Sequence, residues 1–343
     1  MLDATQLLRF LSANTPRRLR VIENVLVGKR SVSTLYWGMR YAQLDWLGYD
    51  KRLSRTEVDQ AAQSLVNDKL AVMADTKVKL TPEGLTTLNA TSLYQPQALS
   101  VRLTVDISTF WQRFLLAIQV VSEASFENRQ YYPLQVPWAV KQTIKRWFHQ
   151  YREASLAEQF RTFLEAFLTS LPTTQANFLA NLLVGHVQPG KTITQLAQTA
   201  EMSLAEATLI QTDLVCQLVQ FIQQEQAPVF TTLLAGLVNS PVSQSALQTV
   251  QAYNQGQSLS TISQRRHLKD STVREHLLEA AILEPLNAFD YERTLSPALQ
   301  TKLADIFDQQ SIDEWQFDQV APLSLEFWQF RLYEILRSKQ DDQ

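Results

Sequence analysis

Four groups of residues have types and spacings suited to chemistry. The stretch GHVQPGKT at 185–192 fits G-x-x-x-x-G-K-[ST], with Gly185, Gly190, Lys191 and Thr192 at the defining places. Such a loop cradles phosphates with backbone amides and a lysine, and its hydroxyl holds magnesium. It needs a buried strand before it and a helix after it. Residues 177–184 (NFLANLLV) suit a helix as well as a strand, and no series of strands surrounds them. A simpler reading has Pro189-Gly190 turn the chain while Thr192 caps a helix, with Gln195 at capping-box spacing.

The second group is Arg265, Arg266 and Lys269, followed by Thr272, Arg274 and His276. The first three suit phosphates. The last three, one helical turn or less apart, suit base edges. The third is the pair Lys77 and Lys79 on a short strand. The fourth is Lys141, Lys145, Arg146 and Arg152, a basic helix face that is either solvated or tracks phosphates. No set suits catalysis. His149, His186, His267 and His276 are not clustered in sequence, and the lone Cys216 has no thiol partner. No catalytic, cofactor or metal site is therefore expected, and the protein is expected not to be an enzyme.

The elements that must position these groups are mostly helices. Residues 253–283 read as two short helices about a tight turn. Gly256 ends a preceding helix, because glycine enters the left-handed conformation at little cost. Leu259 and Ile262 face inward, and small Ser263 lets the second helix cross closely. The turn spans 267–270, and Asp270 or Ser271 caps a helix whose Val273, Leu277 and Leu278 are buried. A related unit occupies 192–215, with Ala197, Glu201 and Met202 in the places of Ser263, His267 and Leu268. Its second helix carries Glu206 and Asp213 and no cation before Gln217. Carboxylates facing outward there would repel phosphates, so this unit suits a protein contact better.

Near the N-terminus Arg17, Arg18 and Arg20 read as a solvated face. Residues 31–47 suit a helix. Ser54 and Glu57 have capping-box spacing for a helix running to about Asn67. Strands at 70–73 and 77–80 follow, and Thr81-Pro82 opens another helix. Helices followed by a small hairpin predict a winged helix. The aromatics from Phe110 to Phe167, including Phe126, Tyr132 and Trp138, have mostly helical spacing and are expected in the core, with Pro133 and Pro137 breaking the helices around a loop. Residues 324–337 carry enough large apolar side chains to cover the last helix-turn-helix.

Composition bounds the rest. The chain has 343 residues, 45% of them hydrophobic, only 8 glycines and one cysteine. It is long enough for two or three domains and reads as mainly α. A net charge of -3 gives no global basic field. Any DNA contact must come from local patches and be weak and salt-sensitive. No disulfide can form within the chain, and no signal peptide or membrane span is evident, so a cytoplasmic protein with no membrane partner is expected.

The run LSTISQRRHLKDSTVREHLLE resembles the helix-turn-helix domain that ends some bacterial RecQ-type helicases and the YpbB-like proteins. Ile262-Ser263, His267-Leu268-Lys269, Ser271-Thr272-Val273 and His276-Leu277 carry the likeness. Pro-Gly-Lys-Thr at 189–192 is similar to the central segment of the YpbB-like family. Two departures stand out: Ser263 for alanine and His267 for glycine, the second predicting a looser or reshaped turn. Gln95-Pro96-Gln97 and Ser240-Pro241 read as boundaries, which gives a winged-helix-like domain at 1–95 and a helical middle domain with a degenerate helix-turn-helix at 96–240. The resemblance implies a helicase-associated helix-turn-helix domain at 241–343. It further implies an accessory role with a RecQ-like helicase in replication or repair. An adaptor that binds the helicase without DNA, or a transcription regulator, are the alternatives.

Overall fold

A computed structural model describes residues 2–153 and 155–341. They form two compact units. One is Asn89–Asn239; the other joins Asp3–Leu88 to the stretch from Ser240 onward. Where three successive domains were expected, the first and last stretches share a unit.

That unit opens with α1 (Ala4–Leu8), capped by Asp3, whose carboxylate accepts the Gln6 N–H at 2.7 Å. There follow β1 (Arg17–Arg18), α2 (Leu19–Val27), α3 (Val32–Arg40) and α4 (Arg55–Asn67). The hairpin β2 (Ala71–Ala74) and β3 (Lys77–Leu80) leads into α5 (Pro82–Ala90). The sheet is antiparallel in the order β1-β3-β2, with Arg17 and Met73 flanking Val78. Ser54 and Glu57 close the expected capping box on α4. The helix expected over 31–47 stops earlier, because Ala42 takes a left-handed φ of 53°. The chain then presents buried Gln43, whose amide donates to the Phe10 carbonyl at 2.8 Å.

The arginines read as a solvated face are structural instead. Arg17 donates to the Phe10 carbonyl at 2.8 Å and lies over the Tyr41 ring. Arg18 stacks on Trp37 at 4.6 Å. Arg20 pairs with Glu23 and Asp59. Guanidiniums spread on aromatic faces in this way bury their stems as well as their charge.

The Asn89–Asn239 unit contains α6 (Ile107–Ser125), α7 (Trp138–Tyr151), α8 (Leu156–Ser170) and α9 (Thr173–Leu182). It continues with α10 (Ile193–Thr199), α11 (Leu204–Glu225) and α12 (Pro228–Thr231). Phe110, Phe114, Trp147, Phe160, Phe163 and Phe167 fill its core, as their spacing requires. Phe163 stacks on Phe230 at 3.8 Å, and the Trp147 indole N–H donates to the Val229 carbonyl at 2.8 Å. Three of the aromatics assigned to packing are not in the core. Phe126, Tyr132 and Trp138 are 60%, 96% and 75% exposed. The stretch between α6 and α7 is held by its backbone: buried Gln119 donates to the Tyr132 carbonyl and accepts the Leu134 N–H at 2.8 Å. Pro133 and Pro137 keep it extended, so its rings are left outside.

Asp213 is likewise not the outward carboxylate its place suggested. It is fully buried on α11. It accepts the Tyr94 hydroxyl at 2.7 Å, the Gln97 and Ala98 amides at 2.9 and 2.7 Å, and the Gln217 amide at 2.8 Å. A carboxylate with this many donors is stable in a dry site.

The remaining helices belong to the first unit. They are α13 (Gln244–Asn254), α14 (Leu259–Arg266), α15 (Asp270–Leu283), α16 (Pro297–Ile306) and α17 (Phe327–Asp341). Gly256 follows α13 at φ 93°, as expected of a helix stop. α15 packs on α13, α14, α17 and α3. Polar contacts reinforce the junction with α3. The Tyr36 hydroxyl donates to Glu334 at 3.0 Å, and Arg40 reaches Ser338 and Asp313 at 3.0 and 2.6 Å. Burial pushes the Glu334 carboxyl up to about 7 even though Arg331 stands beside it. No helix of the described residues is long and apolar enough to cross a membrane.

Removing the buried carboxylate in Asp213→Ala strands the Gln97 and Ala98 amides. It should cost about 3 kcal/mol, read as a lower urea midpoint at unchanged slope.

Candidate nucleic-acid interface

Two helix-turn-helix units share one turn geometry. In α14–α15 the helix ends at His267, left-handed at φ 52° and ψ 42°, and the Leu268 amide donates to the Ser263 carbonyl at 3.0 Å. In α10–α11 Glu201 is left-handed at φ 50°, and the Met202 amide donates to the Ala197 carbonyl, also at 3.0 Å. The sequence correspondence therefore holds atom for atom at the turn. With histidine at 267 the turn matches the one at Glu201. The residue enters the conformation glycine would favour and bears the steric cost. Ser263 serves the close crossing and also donates its hydroxyl to the Leu268 carbonyl at 2.9 Å. The N-cap of α15 is Lys269 rather than Asp270 or Ser271, and no side chain caps it.

The cations around this turn have different fates. Arg265 and Lys269 are exposed. Arg266 is turned back onto α13, donating to the Ser245 carbonyl at 2.8 Å, to Gln248 at 3.0 Å and to the hydroxyl of buried Thr249. Arg274 is partly buried and pairs with Glu326 at 2.6 Å. The Thr249 hydroxyl, which accepts from Arg266, lies 2.8 Å from His276 Nδ1 and 3.4 Å from the Ser245 carbonyl. Burial holds the His276 imidazole below its ordinary pKa, and Arg266 adds to the effect. Thr272 is half-buried at the start of α15.

What faces solvent at the turn is thus Arg265 and Lys269 among the cations, with Asp270 and Glu275 among the carboxylates. The local balance is zero. Arg266, Arg274 and Glu279 do not enter it, because all three are engaged inside the fold. Lys77 is exposed and Lys79 half-buried on the wing, a separate element.

The stretch at 185–192 is not a phosphate cradle. The segment before it is α9, a helix rather than a strand. The Gly185 amide is already given to the Gln188 carbonyl at 2.8 Å. The Thr192 hydroxyl accepts the Gln195 amide at 3.2 Å within a full capping box, so it is committed to α10. Lys191 instead lines an open cleft of about 490 Å³ with Tyr94, Phe178, Leu196, Met202 and Ile210, a mostly apolar wall. Among the described residues no three His, Cys, Asp or Glu side chains are grouped to hold a metal ion. Cys216 is buried, and burial beside Asp213 pushes its thiol up to about 12.

Comparison with known proteins agrees with this geometry. Residues 245–333 match a family described as a helix-turn-helix domain. The chain is 22% identical over 299 residues to Protein YpbB of Bacillus subtilis (strain 168), covering 85% of this chain and 84% of that one. No solved structure matches it. The chain is thus YpbB-like along most of its length and carries a C-terminal helix-turn-helix domain.

Replacing the strained residue in His267→Gly should stabilise the protein by about 1 kcal/mol, seen as a raised melting temperature. The His276 effect has a defined sign. Its folded pKa lies below the unfolded value of 6.5, so its stabilisation is present above pH 6.5 and is lost as pH falls through the folded pKa. His276→Gln should flatten the fall in melting temperature below pH 6.5. Parallel profiles for variant and parent would show that this imidazole does not carry it.

Proposed function

We propose that this chain is a non-enzymatic, DNA-associated accessory protein of the cytoplasm that works with a RecQ-like helicase in DNA replication or repair. The observation that carries the reading is the helix-turn-helix itself. It combines the family match over 245–333 with a formed turn that leaves Arg265 and Lys269 in solvent at the start of α15. Those two cations would hold phosphates, which position a protein without specifying sequence. Of the three residues expected at base edges, Thr272 is half-buried, and Arg274 and His276 are engaged inside the fold. Lys77 and Lys79 on the wing would add phosphate contacts. The helicase link rests on the resemblance of the 259–279 sequence to the C-terminal domain of RecQ-type helicases.

A second reading, an adaptor that grips the helicase without DNA, is favoured by one feature. Arg266, Arg274 and His276 are engaged inside the fold, and the free charges at the turn cancel.

The two readings separate by experiment. Duplex binding followed by gel shift against salt should be weak and should fall steeply with ionic strength. Arg265→Ala with Lys269→Ala should reduce the salt slope by about 1.8, at about 0.9 per lost phosphate contact. Absence of a shift at low salt would reject DNA contact by this domain. A helicase retained by the tagged protein after nuclease treatment would then support the adaptor.

A further inference from the structure

The helix α7 carries a surface that the helix-turn-helix reading does not use. Val140, Ile144, Trp147 and Tyr151 form its inner face; the first three are buried and Tyr151 is partly so. On the opposite face, at spacings of three and four residues, stand Trp138, Lys141, Lys145, His149 and Arg152. Arg146 flanks them. At 1.5 Å per residue the stripe is about 21 Å long. Trp138 is 75% exposed at its start, and Tyr132, on the proline-held segment leading into it, is 96% exposed.

A solvated helix face is the plain alternative, and α8 shows what one looks like in this chain. There Arg161 is neutralised by Glu158 at 2.5 Å and Glu165 at 2.7 Å, one turn to either side. The 14 residues of α7 include no carboxylate. Among the described residues, Lys141, Lys145, Arg146 and Arg152 form no ion pair, and the nearest exposed carboxylate in sequence is Glu153, beyond the helix end. This concentration of unneutralised cations occurs in a chain whose net charge is -3. Two large rings left in water beside it are a second, independent feature. An exposed indole forgoes the gain of burial, about 25 cal/mol per Å² of apolar surface, and Gln119 holds the segment by its backbone, leaving the Tyr132 ring free.

We propose that this face binds single-stranded nucleic acid, with Lys141, Lys145, Arg146 and Arg152 following the phosphates and Trp138 and Tyr132 stacking on bases. Cations in a row attract the backbone of any nucleic acid. Flat exposed rings beside them need unpaired bases, which a duplex does not offer. The combination selects a single strand and tolerates any sequence, since every base has a face to stack. It stands independently of DNA contact at α14–α15.

The test uses the full chain and fluorescently labelled homopolymers of thymidine and of uridine, with binding read by anisotropy across a salt series. The expected result is salt-dependent binding to a single strand, tighter than to a duplex of the same length. Trp138→Ala should weaken it about tenfold by loss of one stacked base, at an unchanged melting temperature because the ring is exposed. Lys145→Glu with Arg152→Glu should weaken it further and reduce the salt slope by at least about 1.4, at about 0.7 per phosphate contact. Tighter binding of the deoxyribose or the ribose polymer assigns the source of the strand. Arg265→Ala with Lys269→Ala should weaken duplex binding more than single-strand binding. No binding at low salt, or α7 variants that bind like the parent, would overturn the proposal. Loss in the α14–α15 variant alone would overturn it while leaving the helix-turn-helix reading intact.

Discussion

The buried carboxylate of Glu279 sets what the C-terminal helix-turn-helix can do. It sits on α15, 6% exposed, and accepts the Ser243 amide at 2.8 Å, the Ser243 hydroxyl at 3.1 Å and the Arg30 guanidinium at 3.1 Å. A charge this deep is tolerable only with its donors in place, and removing one partner of such a pair costs about 3–5 kcal/mol. Arg30 comes from the N-terminal stretch and Ser243 is the cap of α13. The same carboxylate therefore joins segments over two hundred residues apart in sequence, and it does so from the helix that would otherwise be free to enter a groove.

The consequence runs along α15. Every residue from Leu277 to Ile282 is buried. A recognition helix that lies in a major groove needs one long open face. Here only the first two turns have one, and their outward residues are Asp270, Ser271 and Glu275. Contact with a duplex through this element is thereby limited to the helix start and the turn before it, where Arg265 and Lys269 stand. That geometry suits phosphate contacts more than base readout.

Much of this was legible in the sequence wherever a local rule decides. The capping boxes at Ser54 and Thr192, the stop at Gly256 and the hairpin before Thr81 depend on neighbours within a few residues, and they stand where expected. The turn correspondence between Glu201 and His267 held for the same reason. The failures share a cause: they depend on what a side chain meets from far along the chain. Arg17 and Arg18 meet aromatic rings from residues 37 and 41, Asp213 meets the amides of 97 and 98, and Arg266 meets Thr249. Charge alone cannot announce such partners. The exposed rings failed differently. Tyr132 and Trp138 have helical spacing with their buried neighbours, and Pro133 and Pro137 were the signal that this spacing ends between them.

The affinity such surfaces can supply follows from their charge. Two free cations opposed by two carboxylates give the turn no net field, so attraction to a duplex must come from short-range contacts and is quickly lost with salt. The α7 stripe has several cations and no opposing carboxylate on its helix, so its attraction reaches farther. Both remain small for a chain of net negative charge. Tethering resolves the mismatch between weak contact and a useful role. A partner already on DNA raises the local strand concentration to about millimolar, which saturates a site far too weak to act from solution. In the proposed pairing with a helicase, weak, sequence-tolerant contacts would let the protein follow an enzyme that moves. A tight or sequence-specific site would anchor the complex in place.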